Sequence, residues 1–241
     1  MKTTLIRTLS VFAVLISFTV TTIHAQRVKG NGKLIEKTRQ VGDFEALGVS
    51  GSFDVFLVKG QEGKVIVNVE QNLEPYLVTE VKNGTLKVRW KKGTNVRTTK
   101  STKVTVHFED LNSVALSGSG DILSKDAITT DELSIAVAGS GDIRLELNAE
   151  ESKAAVSGSG DVELSGTSKT FEAAVAGSGD IKAYDLKTDK AELKISGSGT
   201  IHAQVANELI ARVSGSGNIK YKGNPRIEDV KVSGSGNVST Y

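Results

Sequence analysis

Apolar and polar residues alternate along most of the chain after residue 110. Every second position is Ile, Val, Leu or Gly from 135 to 147, and the same parity holds Ala, Val, Gly or Leu from 154 to 164. A third stretch, from 193 to 203, repeats the pattern. Alternate side chains of a β-strand point to opposite faces. The pattern therefore predicts strands whose apolar side chains face one common core.

Each alternating stretch contains the tripeptide Gly-Ser-Gly, followed by Asp, Asn or Thr and then Ile or Val. The copies begin at Gly118, Gly139, Gly158, Gly177, Gly197, Gly215 and Gly234, at steps of 18 to 21 residues. A period near 20 indicates a solenoid, in which each repeat buries its apolar side against its neighbours. We predict an all-β, right-handed parallel β-solenoid (β-helix) of about 19–20 residues per coil. Each coil would contain three short strands, with the glycines at a sharp corner.

Residues 26–110 also contain strand patterns, but they lack the repeat. Residues 52–58 and 64–69 are rich in Val, Ile and Phe, which favours strands. Asn83-Gly84 is the dipeptide most typical of a two-residue hairpin turn. We therefore predict that residues 26–110 form a β-rich N-terminal cap of irregular coils, which covers one open end of a repeat solenoid over residues 111–241.

Four local features refine the prediction for the cap. The segment 49–55 resembles a repeat corner in which Phe53 replaces the second glycine, and Gly30-Asn31-Gly32 is a second candidate corner. A helical turn is expected at residues 72–76, which include a proline. Residues 91–101 are expected to form an exposed loop.

The first 25 residues have the features of a secretory signal peptide. Lys2 and Arg7 precede a mostly apolar run, and Ala25 is a suitable cleavage point. We expect an exported protein, periplasmic or at the cell surface, with no transmembrane span in the mature chain. The sequence has no cysteine, so a packed core and not disulfides must stabilise the fold.

Charge is distributed unevenly but weakly along the chain. Residues 26–110 carry 15 basic and 10 acidic residues, whereas residues 111–241 carry 13 basic and 18 acidic residues. This mild asymmetry argues against nucleic acid as a partner.

The corners place polar residues in columns along the predicted solenoid. The residue before each corner is always Ser or Ala, and each corner has a central serine. One interpretation is a regular docking surface for a polymer or a protein, and the other is that only small residues fit a tight corner. The candidate surface array consists of Ser119, Asp121, Ser140, Asp142, Ser159, Asp161, Ser178 and Asp180.

The aspartates of this array have three possible roles. Neighbouring carboxylates about 4.8 Å apart repel each other, which would raise the pKa of an exposed carboxyl. They could bind a cation such as calcium, accept hydrogen bonds from the backbone of the next turn, or supply acid and base to a polysaccharide hydrolase or lyase. Asn and Thr replace Asp in later repeats, which favours the backbone bonds. We predict no catalytic, cofactor or metal site.

A basic patch lies at the end of the predicted cap. Its members are Lys87, Arg89, Lys91, Lys92 and Arg97, with no acidic residue from 82 to 103. The patch could contact acidic glycans or lipid headgroups, or it could simply be a solvated hairpin tip. His107 and His202 lie in separate parts of the chain, so no catalytic triad or zinc cluster is predicted.

The lead-in segments and corners together resemble a known family. Residues 44–51, the stretch Asn83-Gly84-Thr85-Leu86, Asp110-Leu111 and the Gly-Ser-Gly-Asp-Ile copies are similar to the bacterial family called "putative auto-transporter adhesin, head GIN domain", over residues 41–241. The resemblance implies an exported β-solenoid with an adhesin-like role.

We therefore expect a non-enzymatic binding or structural protein of the cell envelope, with a glycan or an envelope protein as its partner. Two alternatives stay open: a polysaccharide-degrading enzyme that uses corner aspartates, and a self-assembling scaffold. The scaffold would form homo-oligomers through the edge of the last coil, residues 230–238, because little sequence remains to cover it.

Overall fold

The structure is a computed structural model that describes residues 26–241, so the predicted signal peptide lies outside the described residues. The strands up to residue 110 are β1 (Gln26–Lys29), β2 (Leu34–Gln40), β3 (Ala46–Gly51), β4 (Phe53–Lys59), β5 (Lys64–Glu70), β6 (Leu77–Lys82), β7 (Thr85–Trp90), β8 (Thr94–Arg97) and β9 (Thr102–Phe108). A 3₁₀ turn at Glu74–Tyr76 confirms the predicted helical turn.

The repeat region continues the same all-β architecture. Its strands are β10 (Ser113–Gly118), β11 (Asp121–Ser124), β12 (Ile128–Gly139), β13 (Ile143–Gly158), β14 (Val162–Gly177), β15 (Ile181–Gly197), β16 (Thr200–Gly215), β17 (Asn218–Lys222), β18 (Ile227–Gly234) and β19 (Asn237–Thr240). None of the described residues form a helix that is long and apolar enough to cross a membrane.

The coils stack as a parallel β-solenoid of about seven turns, which confirms the predicted fold class. Equivalent residues of successive repeats lie opposite each other, as Gly139, Gly158 and Gly177 do in the ladders of β12, β13 and β14. The inward residues form buried columns; Val137, Val156 and Val175 stack and are each 2% exposed. The predicted short strands are joined in the structure, because the ladders of β13 to β16 continue through the bends between corners.

The corners depend on glycine because the backbones of adjacent coils approach closely there. Gly158 has a φ of +131°, and a Cβ atom at this position would overlap the carbonyl oxygen of Gly139. That same oxygen accepts the N–H groups of Ser159 and Gly160, at 2.9 and 3.1 Å. The hydrogen bonds and the missing side chain therefore belong to one contact, which recurs at the corners from Gly118 to Gly215.

Replacing the second glycine of a corner is expected to destabilise the whole stack. In Gly160→Ala, the new Cβ would overlap the carbonyl oxygen of Gly141 and a methyl group of Val137. We expect a loss of about 3 kcal/mol of unfolding free energy, as in overpacked cores, measured by urea denaturation. The control is Gly42→Ala, where a Cβ meets nothing within 4 Å. Equal stability of the two variants would contradict the close-approach account.

The N-terminal strands extend both sides of the first coil. Gly51 of β3 lies opposite Gly118 with a φ of +137°, and Phe53 is fully buried where the repeat has its second glycine. The predicted degenerate corner is thus confirmed. On the cap side of this corner, β7 pairs in parallel with β3 and extends the face that contains β3. In the same way, β9 pairs in parallel with β4 and extends the next face. Antiparallel strands follow at the outside, with β6 on β7, β5 on β9 and β2 on β5.

Two expectations for the cap are wrong. Gly30–Gly32 is not a corner, because β2 runs antiparallel to β5 and no coil among the described strands stacks on it. Residues 91–101 are not only a loop, because they contain β8, which pairs in parallel with β1.

A buried carboxylate connects the two segments in which these departures occur. Glu70 is fully buried, and it accepts hydrogen bonds from the N–H of Gly32 at 2.6 Å and from the N–H and hydroxyl of Thr99 at 2.8 and 2.6 Å. Burial alone would raise the pKa of Glu70, but the bonds from Thr99, Gly32 and Lys100 lower it below its usual value. One carboxylate thus ties the glycine loop and the residues after β8 to β5.

Glu70→Gln is expected to loosen this connection. The amide would turn a donor towards N–H groups that need an acceptor, which costs roughly 1–3 kcal/mol. Because the folded pKa is lowered, the ionised carboxylate contributes stability above the ordinary Glu pKa of about 4.3, and the contribution is lost as the pH falls through the folded pKa. Thermal melting should therefore separate wild type from Glu70→Gln at pH 7 and bring them together in acid. Glu36→Gln, at an exposed position of β2, is the control; a gap that persists in acid would contradict the role of the charge.

Candidate functional site

The strands that lead into the corners form one continuous outer face. Because these strands alternate in and out and stack in register, each outward position becomes a column along the solenoid. The column three residues before the corners contains Gly48, Ala115, Ala136, Ala155, Ala174, Lys194, Arg212 and Lys231. The column immediately before the corners contains Ser50, Ser117, Ala138, Ser157, Ala176, Ser196, Ser214 and Ser233.

Together these columns line a long open groove with a volume of about 1000 Å³. Its floor is smooth because the outward residues of β3, β10, β12, β13 and β14 that line it are only Gly, Ala or Ser. From β7 to β15 the groove crosses six strand spacings, or roughly 29 Å at ~4.8 Å per spacing. No aromatic side chain is among its lining residues, all of which lie in the described part of the chain. The floor therefore offers mainly methyl and backbone surface.

Cationic side chains stand at both ends of this groove. At the end towards the cap, Lys87 and Arg89 of β7 lie opposite Gly48 and Ser50 of β3. At the other end, Lys194, Arg212 and Lys231 occupy the column that holds alanine in the middle repeats. Arg89 forms an ion pair with Glu80 at 2.8 Å, and Arg212 forms one with Asp229.

The structure divides the basic patch of the sequence. Lys87 and Arg89 line the groove, whereas Lys91 and Lys92 are exposed just after β7 and Arg97 lies exposed on β8. The five residues therefore do not form one cluster on the groove. The sequence analysis did not identify the cationic residues at the other end of the groove, Lys194, Arg212 and Lys231. These residues could have been found from the sequence, because the position three residues before the corner is Ala in the middle repeats and Lys or Arg in the last three.

The corner serines lie beside the groove and are not among its lining residues. Ser119, Ser140, Ser159 and Ser178 are all outside the buried core. The N–H of Ser140 donates to the carbonyl oxygen of Gly118 at 2.9 Å, and Ser159 repeats this bond to Gly139. Their backbone thus has a structural role at the corner.

The corner aspartates bond to the backbone of the following coil. The Oδ1 atom of Asp142 accepts the N–H of Asp161 at 2.9 Å, and Asp161 accepts that of Asp180 at 3.0 Å. Asp121 and Asp180 act in the same way towards Asp142 and Thr200, at 3.3 and 2.7 Å. This is the geometry expected if each aspartate accepts a hydrogen bond from the backbone of the next turn. Within residues 26–241, no group of three or more His, Cys, Asp or Glu side chains is arranged to hold a metal ion.

The expected rise in carboxyl pKa is wrong for Asp161. Burial alone would raise the pKa of Asp161, but Lys182, whose Nζ lies 2.7 Å from the carboxylate, and the N–H of Asp180 lower it below the usual value. Charge repulsion along the column is therefore offset here by a cation two residues after the next corner aspartate.

Asp161→Asn should test this balance. The amide keeps an acceptor for the N–H of Asp180 but loses the charge that attracts Lys182, so we expect a loss of less than about 1 kcal/mol because solvent screens the pair. Since the folded pKa is lowered, the charge contributes above the ordinary Asp pKa of about 3.9, and its effect disappears as the pH falls through the folded pKa. Melting curves at neutral and acid pH measure this. A variant more stable than wild type at neutral pH would show that repulsion dominates.

The histidines do not converge on a site. His107 contacts the carbonyl oxygen of Lys64 at 3.3 Å, whereas His202 packs beside Tyr184 with ring centroids 4.7 Å apart. Burial lowers the pKa of His202. Neither residue lines the groove.

Known proteins share this architecture. The family model described as "Putative auto-transporter adhesin, head GIN domain" matches residues 43–225. A crystal structure of a putative adhesin from Bacteroides fragilis has a TM-score of 0.83 and 26% identity, covering 89% of this chain and 100% of that chain. A putative lipid binding protein from Parabacteroides distasonis has a TM-score of 0.75 and 29% identity, covering 90% and 100%. A putative adhesin from Parabacteroides merdae has a TM-score of 0.73 and 26% identity, with coverage of 90% and 100%. No curated protein is similar enough to this chain to count as a relative.

Proposed function

Because the chain belongs to the "putative auto-transporter adhesin, head GIN domain" family, we propose that it is an exported, non-enzymatic binding protein of the cell envelope. Its ligand is an extended anionic amphiphile, an acyl chain with an acidic head, held along the groove. The observation that carries the proposal is the groove itself, with an apolar floor between two cationic ends.

The floor favours an acyl chain over a sugar polymer. Small-molecule sites are lined mainly by apolar groups, with a few polar groups that fix the orientation of the ligand. The Gly and Ala positions of the floor let a hydrocarbon chain lie close to the backbone and lose water from its whole length, at about 25 cal/mol per Å². Aromatic side chains, on which sugar rings could stack, do not line the groove.

The cations at the ends supply the polar part of such a site. Arg and Lys form charge-assisted hydrogen bonds with carboxylate and phosphate oxygens. Lys194 and Lys231 occupy positions where the middle repeats have alanine, so packing does not require a long side chain there. An acidic head would be bound beside β15, β16 and β18.

The names of similar proteins are consistent with this proposal, some with a role in adhesion and one with lipid binding. The neighbours from Bacteroides fragilis and Parabacteroides merdae are called putative adhesins, and the one from Parabacteroides distasonis is called a putative lipid binding protein. An envelope protein that binds an acidic lipid would fit both descriptions. Export to the periplasm or the cell surface follows as part of the proposal.

The alternative of a polysaccharide-degrading enzyme receives less support from the corner aspartates. A glycosidase needs two carboxyl groups with different roles. Asp121, Asp142, Asp161 and Asp180 share one environment, in which an oxygen of each accepts a backbone N–H, and Asp161 differs only by its additional ion pair with Lys182. This shared environment does not set one of them apart as an acid and another as a base.

Blocking the groove floor tests the proposal directly. In Ala155→Trp the indole fills the middle of the groove, and we expect palmitate to bind at least about tenfold more weakly, which corresponds to about 1.4 kcal/mol. The measurement is titration calorimetry with palmitate. The matched control is Ala206→Trp, on an exposed position of β16 that does not line the groove. Equal weakening by both variants, or no binding to wild type, would contradict the proposal.

Two further experiments test the role of the acidic head group and the alternative of a polymer ligand. Lys194→Ala should weaken palmitate but not its methyl ester, whereas Lys190→Ala, outside the groove, should change neither. A panel of neutral and acidic polysaccharides is followed both for retention of the protein and for new reducing ends. Retention on a polymer without palmitate binding would replace the amphiphile by a glycan, and new reducing ends lost in Asp142→Asn would make the protein an enzyme.

A further inference from the structure

Within residues 26–241, the solenoid is covered at its cap end, whereas no strand packs on the far side of its last coil. In β16 the inward residues Leu209, Ala211 and Val213 are 0–3% exposed. The same inward positions in the last coil are Glu228, Val230 and Val232, and the two valines are 41% and 43% exposed. Ile227 and Tyr241 are also exposed at this end. Within the described residues, the apolar core therefore ends without a following coil.

The last strands also have free hydrogen-bonding edges. Among the described strands, β18 pairs only with β16, and β19 pairs only with β17. The opposite edge of each strand thus presents unpaired N–H and C=O groups, which can pair with another strand. Apolar side chains and an open edge coincide in the segment from Ile227 to Gly234.

The charges on β18 favour pairing with a second copy of β18 in one particular register. Asp229 and Lys231 lie on the outward side, one on each flank of Val230. If a second copy of β18 pairs antiparallel and the pairing is centred on Val230, each Asp229 lies directly opposite a Lys231 of the other copy. A pairing centred on Asp229 would instead place the two Asp229 side chains opposite each other. A pairing centred on Lys231 would do the same with the two Lys231 side chains. Opposite charges in directly facing positions stabilise a strand pair, and like charges destabilise it.

The inward side fits the same register. Val230 would lie beside the Val230 of the second copy, and Val232 beside its Glu228. Glu228 already has a partner, because the Tyr221 hydroxyl donates to its carboxylate at 2.9 Å. The valines would thus gain the cover that the inward residues of other coils receive from a following coil.

We propose that two copies of this protein join tail to tail, through antiparallel pairing of β18 centred on Val230. The dimer pairs the free edge of β18 in both copies and continues their sheet across the interface. Its symmetry is two-fold, so the same patch is used by both copies and the assembly stops at two.

Charge reversal with rescue tests the dimer and its register together. Residues 26–241, which contain every strand of the structure, are followed by sedimentation velocity and light scattering from micromolar to near-millimolar concentration. Wild type should dimerise, whereas Asp229→Lys and Lys231→Glu alone should each dimerise about tenfold more weakly or worse, since both facing pairs become repulsive.

An equimolar mixture of the two variants should restore pairing by forming heterodimers. In the register centred on Val230, the lysine introduced at position 229 of one variant faces the glutamate introduced at position 231 of the other. The unchanged Lys231 of the first variant then faces the unchanged Asp229 of the second. Both facing pairs are therefore attractive again, although each variant alone is repelled by its own copies.

Two controls keep the result interpretable. Asp229→Lys also removes the ion pair with Arg212, so melting temperature and far-ultraviolet circular dichroism must show that each variant is folded. Lys220→Glu, an exposed change on β17, should leave the dimer intact. A monomeric wild type at all concentrations, single variants that dimerise like wild type, or a folded mixture that stays monomeric would each overturn the proposal.

Discussion

The structure depends on the contact between corner backbones of successive coils. A carbonyl oxygen of one corner glycine accepts two N–H groups of the next corner, within a space that a Cβ atom would fill. This contact sets the register of the whole stack, because a shift of one residue would turn every inward side chain outward. The buried columns of Val, Ile and Leu, the aspartate bonds and the groove all follow from equivalent residues lying opposite each other.

Much of this could be predicted from the sequence because the information is local and repeated. Alternation indicated the inward and outward positions, and the spacing of Gly-Ser-Gly indicated the stack; even the corner at Phe53 was recognisable from its neighbours. The cap was harder because its organisation depends on distant contacts. Glu70 joins Gly32 and Thr99, which are 38 and 29 residues away, and no local pattern marks such a connection. The strand β8 is short and polar, and only its pairing with β1 defines it.

The groove illustrates a different limit of sequence reasoning. The serine or alanine before each corner was visible in the sequence, but a groove needs a second column of small residues and walls at its ends. The walls come from β7 in the cap and from β15, β16 and β18 in the last coils, which are far apart in sequence. Their meeting on one face follows only from the parallel pairing of β7 with β3 and of β3 with β10. Binding surfaces of solenoids are built in this way, across many repeats.

In a repeat protein, a departure from the repeat requires a separate physical reason. Ala155 and Ala174 show that a methyl group is sufficient, at the position three residues before a corner, for strands to stack there. Lys194, Arg212 and Lys231 occupy the same column without improving the packing of the core, and they place positive charges close to one another at ~4.8 Å spacings, where like charges repel.

An acidic ligand would remove this repulsion. Glu192 and Asp229 offset part of it through ion pairs with Lys194 and Arg212 at the edge of the column. Asp229, the acidic neighbour of Lys231 on the same face of β18, is already bound to Arg212. A further acidic group for Lys231 would come from a ligand in the groove or from a second copy, whose Asp229 would then lie between its own Arg212 and this Lys231. The two proposals therefore meet at this residue.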